Sequence, residues 1–365
     1  MLKEFIQLKR DRLTFGMIIG IPVIQLVLFG FAINSDPKRL PTAVLGADHG
    51  IYERSLLWGL KNSGYFRIDR AARSEAEAEA MLASGEVQFV ITVPEDFSRR
   101  IARGERPALL VEADATDPAA IGNAIAALNG VVRNSLSRDL QGTLGRLNPA
   151  ADPVDVRIHR RYNPEGVTQY NIVPGLLGVI LTMTMILMTG LAMTRERERG
   201  TFENLLATPA LPIEVMTGKI VPYIMIGLIQ VTIVLGAAQL LFGVPMLGSA
   251  LLLYLCVLLF IAANLTLGIT FSSIARNQLQ AMQMTFFFFL PSMLLSGFMF
   301  PFRGMPDWAQ AIGSILPLTH FLHLVRGIML KGNDFATLWP NIWPILAFIA
   351  ASIGVGLLVY RRTLD

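Results

Sequence analysis

Charge is absent from five long windows of this chain, and no other feature of the sequence restricts its fold as much. The uncharged runs lie between Arg12 and Asp36, Glu165 and Arg195, Lys219 and Arg276, Arg276 and Arg303, and Asp334 and Arg361. A bilayer core about 30 Å thick is crossed by roughly 20 apolar residues of helix, so every window is long enough to span. The run after Lys219 holds 56 residues, too many for one crossing at about 1.5 Å per residue. Gly243, Pro245 and Gly248 divide it in two. Six transmembrane helices are therefore expected, the first over 14–34. Composition agrees: 53% of the 365 residues are hydrophobic and 16% charged, where a soluble chain carries about 25% charge.

Basic residues set the orientation. Cytoplasmic loops collect lysine and arginine, and here the N-terminal segment, the loop after the second span, the next cytoplasmic loop and the tail hold eleven against three in the short opposing loops. Both termini are expected in the cytoplasm. Lys3, Lys9, Arg10 and Arg12 precede the first window as in a secretory signal, but the apolar stretch is longer than such a signal needs and no small-residue cleavage site follows Phe31. The stretch reads as a permanent anchor.

The segment 35–171 has a different composition, with eighteen acids and seventeen bases, an ordinary soluble density. Alternating apolar stretches at Thr42–Leu45, Val87–Val93 and Leu109–Val111 predict strands, with a returning strand at Asp155–His159. Helices are expected at Tyr52–Lys61, Ser74–Leu82 and from Pro118 to about Gly142, the last with Asp117 as N-cap and Pro118 at the first helical position. The expected fold class is thus an α-helical integral membrane protein with six transmembrane helices and an inserted extracytoplasmic α/β domain between the first and second.

Several chemistries are excluded or disfavoured. A single cysteine, Cys256, allows no intrachain disulfide. No GxxxxGK[ST] phosphate loop occurs, so the chain is not an ATPase of that type. No GxSxG or HExxH constellation appears, and no catalytic residue is assigned. His320 and His323 stand three apart, but no third ligand lies near them in sequence, and polar anchoring at an interface is the better reading than a metal pair. Nucleic acid is not an expected partner, because the basic residues are scattered. The spans hold amides (Gln25, Gln230, Gln239, Asn264, Gln283) and no acid or base; an ion-driven carrier places ionisable groups there, so energy for transport must come from elsewhere.

Two segments are informative. After the second span the chain reads Met193-Thr-Arg-Glu-Arg-Glu-Arg-Gly-Thr-Phe-Glu-Asn-Leu-Leu-Ala-Thr-Pro209. The alternating charges carry a helix out of the membrane until Gly200, and Thr201 then caps a short helix that sets Phe202, Leu205 and Leu206 on one face. Such a helix fits a groove on a soluble partner or lies on the lipid surface; both readings stand. The second segment, Ser296-Gly-Phe-Met-Phe-Pro-Phe-Arg-Gly-Met-Pro-Asp-Trp308 followed by Leu316-Pro-Leu-Thr-His-Phe-Leu-His-Leu-Val-Arg-Gly327, has few charges and is interrupted by Gly313 and Pro317. It is expected to dip into the outer leaflet and return, with Trp308 at the interface.

Together these segments resemble the ERGT-x-E-x-L-x-x-TP and SGF-x-FP…MP-x-W…PLT…R-G patterns of the permease subunits of ABC-2 type exporters, and the large insert is similar to their drug-efflux branch. The resemblance implies an amphipathic elbow helix at 1–13, with Leu2, Phe5 and Ile6 towards lipid, and a dimer with a second permease chain, identical or sister. It implies two ABC ATPase subunits beneath, which hold ATP and magnesium, while this chain binds no cofactor. It further implies a bacterial cytoplasmic (inner) membrane, with membrane lipids and a periplasmic adaptor among the partners. On this likeness the ATPase-coupling helix, about 200–208, comprises Thr201, Phe202, Glu203, Leu205 and Leu206, with Glu198 and Gly200 at its entry. An external re-entrant gate, about 304–332, includes Trp308, Pro317, Leu318 and Arg326. A membrane-anchored periplasmic sensor or envelope scaffold is the alternative, weakened by the four further spans.

Overall fold

A computed structural model describes residues 37–46, 48–137, 140, 152–198 and 212–362. These fall into two compact units, one α/β and one helical. The expected elbow at 1–13, the first span at 14–34 and the coupling residues Gly200, Thr201, Phe202, Glu203, Leu205 and Leu206 lie outside the described residues.

The α/β unit is built from β1 (Leu40–Gly46), α1 (Ile51–Asn62), β2 (Phe66–Ala71), α2 (Glu75–Ser84), β3 (Phe89–Val93), α3 (Phe97–Ala102), β4 (Ala108–Asp114), α4 (Pro118–Ser137) and β5 (Asp155–Arg161). The sheet order is β2-β1-β3-β4-β5. β1 pairs parallel with β2 and β3, β3 antiparallel with β4, and β4 parallel with β5. Strand alternation sorts the side chains between two faces. Phe89 and Ile91 join Leu40, Leu56, Leu60, Phe97, Leu109 and Leu128 in the larger core, whereas Val90 packs with Ala43, Ala78 and Leu82 beneath α2. α2 starts as its sequence dictates: the Ser74 hydroxyl accepts from Glu77 N–H, and the Glu77 carboxylate accepts from Arg73 N–H, a reciprocal cap. Gly85, at φ +76°, ends the helix.

Two elements of this unit were not anticipated. β2 is an edge strand whose Phe66-Arg-Ile-Asp-Arg-Ala buries only Phe66, so its pattern reads as polar. α3 has six residues, too few to show a helical period. α4 is described as far as Ser137, and the expected end near Gly142 lies outside the described residues. After β5, Asn163 fastens the chain for its next helix: its side-chain amide donates to Val167 C=O at 2.9 Å and its carbonyl accepts from Val167 N–H at 2.8 Å.

The helical unit comprises α5 (Thr168–Glu198), α6 (Pro212–Phe242), α7 (Ala250–Ile274), α8 (Gln278–Leu295), α9 (Asp307–Gly313), α10 (Pro317–Arg326, continued by a π-turn over Gly327–Lys331) and α11 (Phe335–Arg362). Four of these are long and apolar enough to cross a bilayer: α5, α6, α7 and α11. α8 has eighteen residues and carries Gln278, Gln280 and Gln283 near its start, which makes it less apolar. α6 ends at the anticipated glycine: Gly243 takes φ +61°, Val244 N–H reaches back to Ala238 C=O, and Ser249 caps the start of α7.

α7 is the centre of this unit, packing against α6, α8, α10 and α11. Glycine sets its closest crossing with α5: a Cβ on Gly268 would lie 2.9 Å from Ile186 C=O. Outward faces are greasy. Met225, Ile229, Ile233 and Leu240 on α6 and Trp339, Trp343 and Leu346 on α11 are all exposed, an apolar surface suited to lipid and not to water.

Candidate functional site

Sequence reasoning singled out two regions, and the structure supplies geometry for the entry of the first and all of the second. At the first, α5 continues past its apolar span through Arg195 as far as Glu198, the last described residue before 199–211, whose side chain is exposed. The turn between α7 and α8 lies against that end. It is tightly made: the Asn277 side chain accepts from Gln280 N–H at 2.8 Å, and the Gln280 side chain accepts from Arg276 N–H at 2.8 Å. The first N–H groups of a helix have no partner within it, and here that of Gln278 is taken by the Glu198 carboxylate at 2.8 Å. The Gln278 amide also donates to Glu198 Oε2, and its Oε1 accepts from Arg195 Nε at 3.3 Å.

A carboxylate facing a helix N-terminus is favoured by the helix dipole. The Gln278 side-chain amide, and after it the Gln278 backbone N–H, hold the Glu198 carboxyl below the usual carboxylate range. Gln278 was not recognised from sequence, since it sits 80 positions from its partner and belongs to no period or motif.

At the second region α9 and α10 form a pair bent by 82°. Gly313 ends α9, and Pro317 stands at the first turn of α10, where a missing N–H costs nothing. The intervening turn is held from α10: Thr319 donates to Gly313 C=O at 2.6 Å, and His320 Nε2 meets Ser314 C=O at 2.7 Å. Its other ring nitrogen lies 3.3 Å from Asn341 Oδ1 on α11. Leu318 and Phe321 fit against Gly178 of α5, where a Cβ would come within 2.8 Å of Leu318. Phe321 stacks on Phe260 of α7, with ring centres 4.0 Å apart. Trp308 is partly exposed, whereas Arg326 is buried and directs both terminal nitrogens at Gly297 C=O, each at 3.4 Å.

The π-turn after Arg326 was also unforeseen. It places Ile328 and Met329 carbonyls where they accept from Gly248 N–H and Leu247 N–H, both at 3.0 Å. This joins the α6–α7 connection to the end of α10 through backbone alone. Gly248 is required there, because a Cβ would lie 2.6 Å from the Ile328 oxygen. Pro317, Leu318 and Arg326 therefore belong to one packed assembly with α5, α7 and α11, whereas Trp308 is exposed on α9, which packs against α8. Among the described residues no group of three or more histidine, cysteine, aspartate or glutamate side chains is placed to hold a metal ion.

Apolar helices with lipid-suited faces, together with an α/β insertion, define a multi-pass helical membrane protein. The chain belongs to the ABC-2 family of transporter proteins, whose family model matches residues 12–358. It is 27% identical over 360 residues to the probable multidrug ABC transporter permease YbhR of Escherichia coli K12, covering 99% of this chain and 96% of that one. It is 28% identical to the probable multidrug ABC transporter permease YbhS of the same organism, covering 100% and 96%. It is 33% identical over 302 residues to the E. coli inner membrane transport permease YhhJ, covering 79% and 76%. The recognition of an ABC-2 permease from the two motif segments is thus correct.

Proposed function

We propose that this chain is the permease subunit of an ATP-driven exporter, moving an amphipathic compound such as a drug or lipid-like molecule out of the cytoplasm or the inner leaflet. The observation that carries this reading is likeness along almost the whole chain to permeases named for multidrug transport. Physical features support it. The uncharged windows of the apolar helices offer no acid or base for ion coupling, and the chain holds no phosphate-loop motif, so hydrolysis belongs to a separate ATPase with its own ATP and magnesium.

In this reading two ATPase subunits dock against 200–208 of two permease chains in the bacterial cytoplasmic membrane. Six helices cross the bilayer, both termini are cytoplasmic and 35–171 is extracytoplasmic. ATP-driven closure of the ATPases pushes on the apolar face of Phe202, Leu205 and Leu206, and α5 carries the displacement into the helical unit as a rigid body. The α9–α10 pair is the external gate, opening when α5 shifts against Leu318 and Phe321. No bond of the transported compound changes.

Phe202→Ala combined with Leu205→Ala tests the assignment. The variant is expected to insert in the membrane normally and to lose its ATPase subunit on purification. Undiminished co-purification would remove 200–208 from the ATPase interface.

A further inference from the structure

We propose that Gln278 is a positioning residue for the ATPase-coupling segment, holding the exit of α5 on the N-terminus of α8 through Glu198. The inference rests on the reading of 200–208 as that segment and extends it to a residue outside both motif segments.

Three features of the geometry carry it. Glu198 lies two residues before Gly200, so whatever fixes Glu198 fixes the point from which the coupling segment departs. Both of its carboxylate oxygens are engaged by one residue, Oε1 by the Gln278 backbone N–H and Oε2 by the Gln278 side-chain amide. A two-point attachment fixes orientation as well as distance, which a single exposed ion pair does not. Finally, Gln278 is itself immobilised. Asn277 and Gln280 cap the α7–α8 turn on either side of it, and its remaining side-chain oxygen accepts from Arg195, one turn before Glu198 on α5. The glutamine thus meets α5 at two positions and α8 at its first turn, joining two helices that are 80 residues apart in sequence.

The mechanical consequence follows. A load applied to 200–208 enters the helical unit at two places, along α5 and through the clasp into α8. Without the Gln278 side chain, Glu198 keeps only the backbone hydrogen bond to α8, which sets a distance but not an orientation.

The test uses the full-length chain with Cys256→Ala, which removes its single cysteine, and Thr201→Cys as reporter, labelled with a maleimide. Gln278→Ala and Glu198→Ala are each expected to raise the labelling rate about three- to tenfold, the range that the loss of an ordinary net hydrogen bond at an exposed site corresponds to. The double variant should be no faster than Glu198→Ala alone, because residues that act only through each other are non-additive. Glu198→Gln, which keeps an acceptor oxygen, should have a smaller effect. Gln278→Asn, which keeps a side-chain amide on a shorter stem, should also have a smaller effect and guards against misfolding of the alanine variant. Gln278→Ala should still co-purify with the ATPase subunit, since the residue positions the docking segment and does not form it.

Wild-type labelling rates in Gln278→Ala and Gln278→Asn, or additive effects in the double variant, would overturn the clasp while leaving the docking assignment standing. Loss of the ATPase from Gln278→Ala would equally overturn it, by making Gln278 part of the docking surface. Failure of the docking assignment has a separate signature, retention of the ATPase by the Phe202→Ala, Leu205→Ala variant.

Discussion

At the α9–α10 bend the helical unit is held by burial: Leu318 and Phe321 are fully inaccessible and seat against Gly178, two aromatic rings stack, and Gly248 and Gly313 let backbones approach where a side chain would collide. At the exit of α5 there is almost no burial, and a few hydrogen bonds among Arg195, Glu198 and Gln278 do the fastening. The first kind of attachment is strong and insensitive to its surroundings. The second is weak in free energy and specific in geometry, since exposed polar contacts add little stability. A transporter subunit needs both, one end that keeps its shape and one that can respond to a partner.

That contrast can be broken most decisively at Phe321. Phe321→Ala removes a fully buried ring and is expected to cost about 3 kcal/mol or more, read as a lowered midpoint in detergent unfolding of the full chain; an unchanged midpoint would show that α10 is not part of the packed core. A smaller effect is expected from Gly248→Ala. The added methyl group meets a backbone oxygen that cannot rotate away, and overpacking of this kind costs about 1–3 kcal/mol; a neutral result would mean that the α6–α7 connection is free of the π-turn.

The mildest perturbation is titration of Glu198. Its carboxyl is held below the ordinary range, so the clasp is complete above the ordinary carboxylate pKa and is lost only as the pH falls through the lowered value. Labelling at position 201, taken as a ratio to the same cysteine in the Glu198→Ala variant so that the thiol's own titration cancels, is therefore expected to stay flat from pH 8 down to about 5 and to rise below the usual carboxylate pKa of about 4.3. A rise near pH 6 would point to a histidine instead.

The two regions also differ in how well the sequence announced them. Charge-free windows placed α5, α6, α7 and α11, because the exclusion of charge from lipid is a property of each residue by itself. The Gly243–Gly248 interruption and the Gly313–Pro317 interruption were readable for the same reason, as local backbone chemistry. The strands β1, β3, β4 and β5 followed from alternation, while β2 was hidden by its polar edge. Nothing local marks Gln278. A glutamine just after a short turn is unremarkable until the chain folds and brings Glu198 to it, so the tie could emerge only from tertiary structure. The same holds for the pairing of Leu247 and Gly248 with the π-turn, in which backbone atoms alone take part.

That π-turn has a consequence for length variation in this part of the chain. An i→i+5 turn accommodates one more residue than the α-helix around it. Deleting a single residue between Gly327 and Lys331 would let α10 continue as an ordinary helix to Lys331, its last carbonyls still without a partner inside the helix but turned by about 100° away from Leu247 and Gly248. The α6–α7 connection would then lose both acceptors at once. Among single-residue deletions in α10, this one should spare the helix and sever the join, separating the two roles of the segment in a way that no side-chain replacement can.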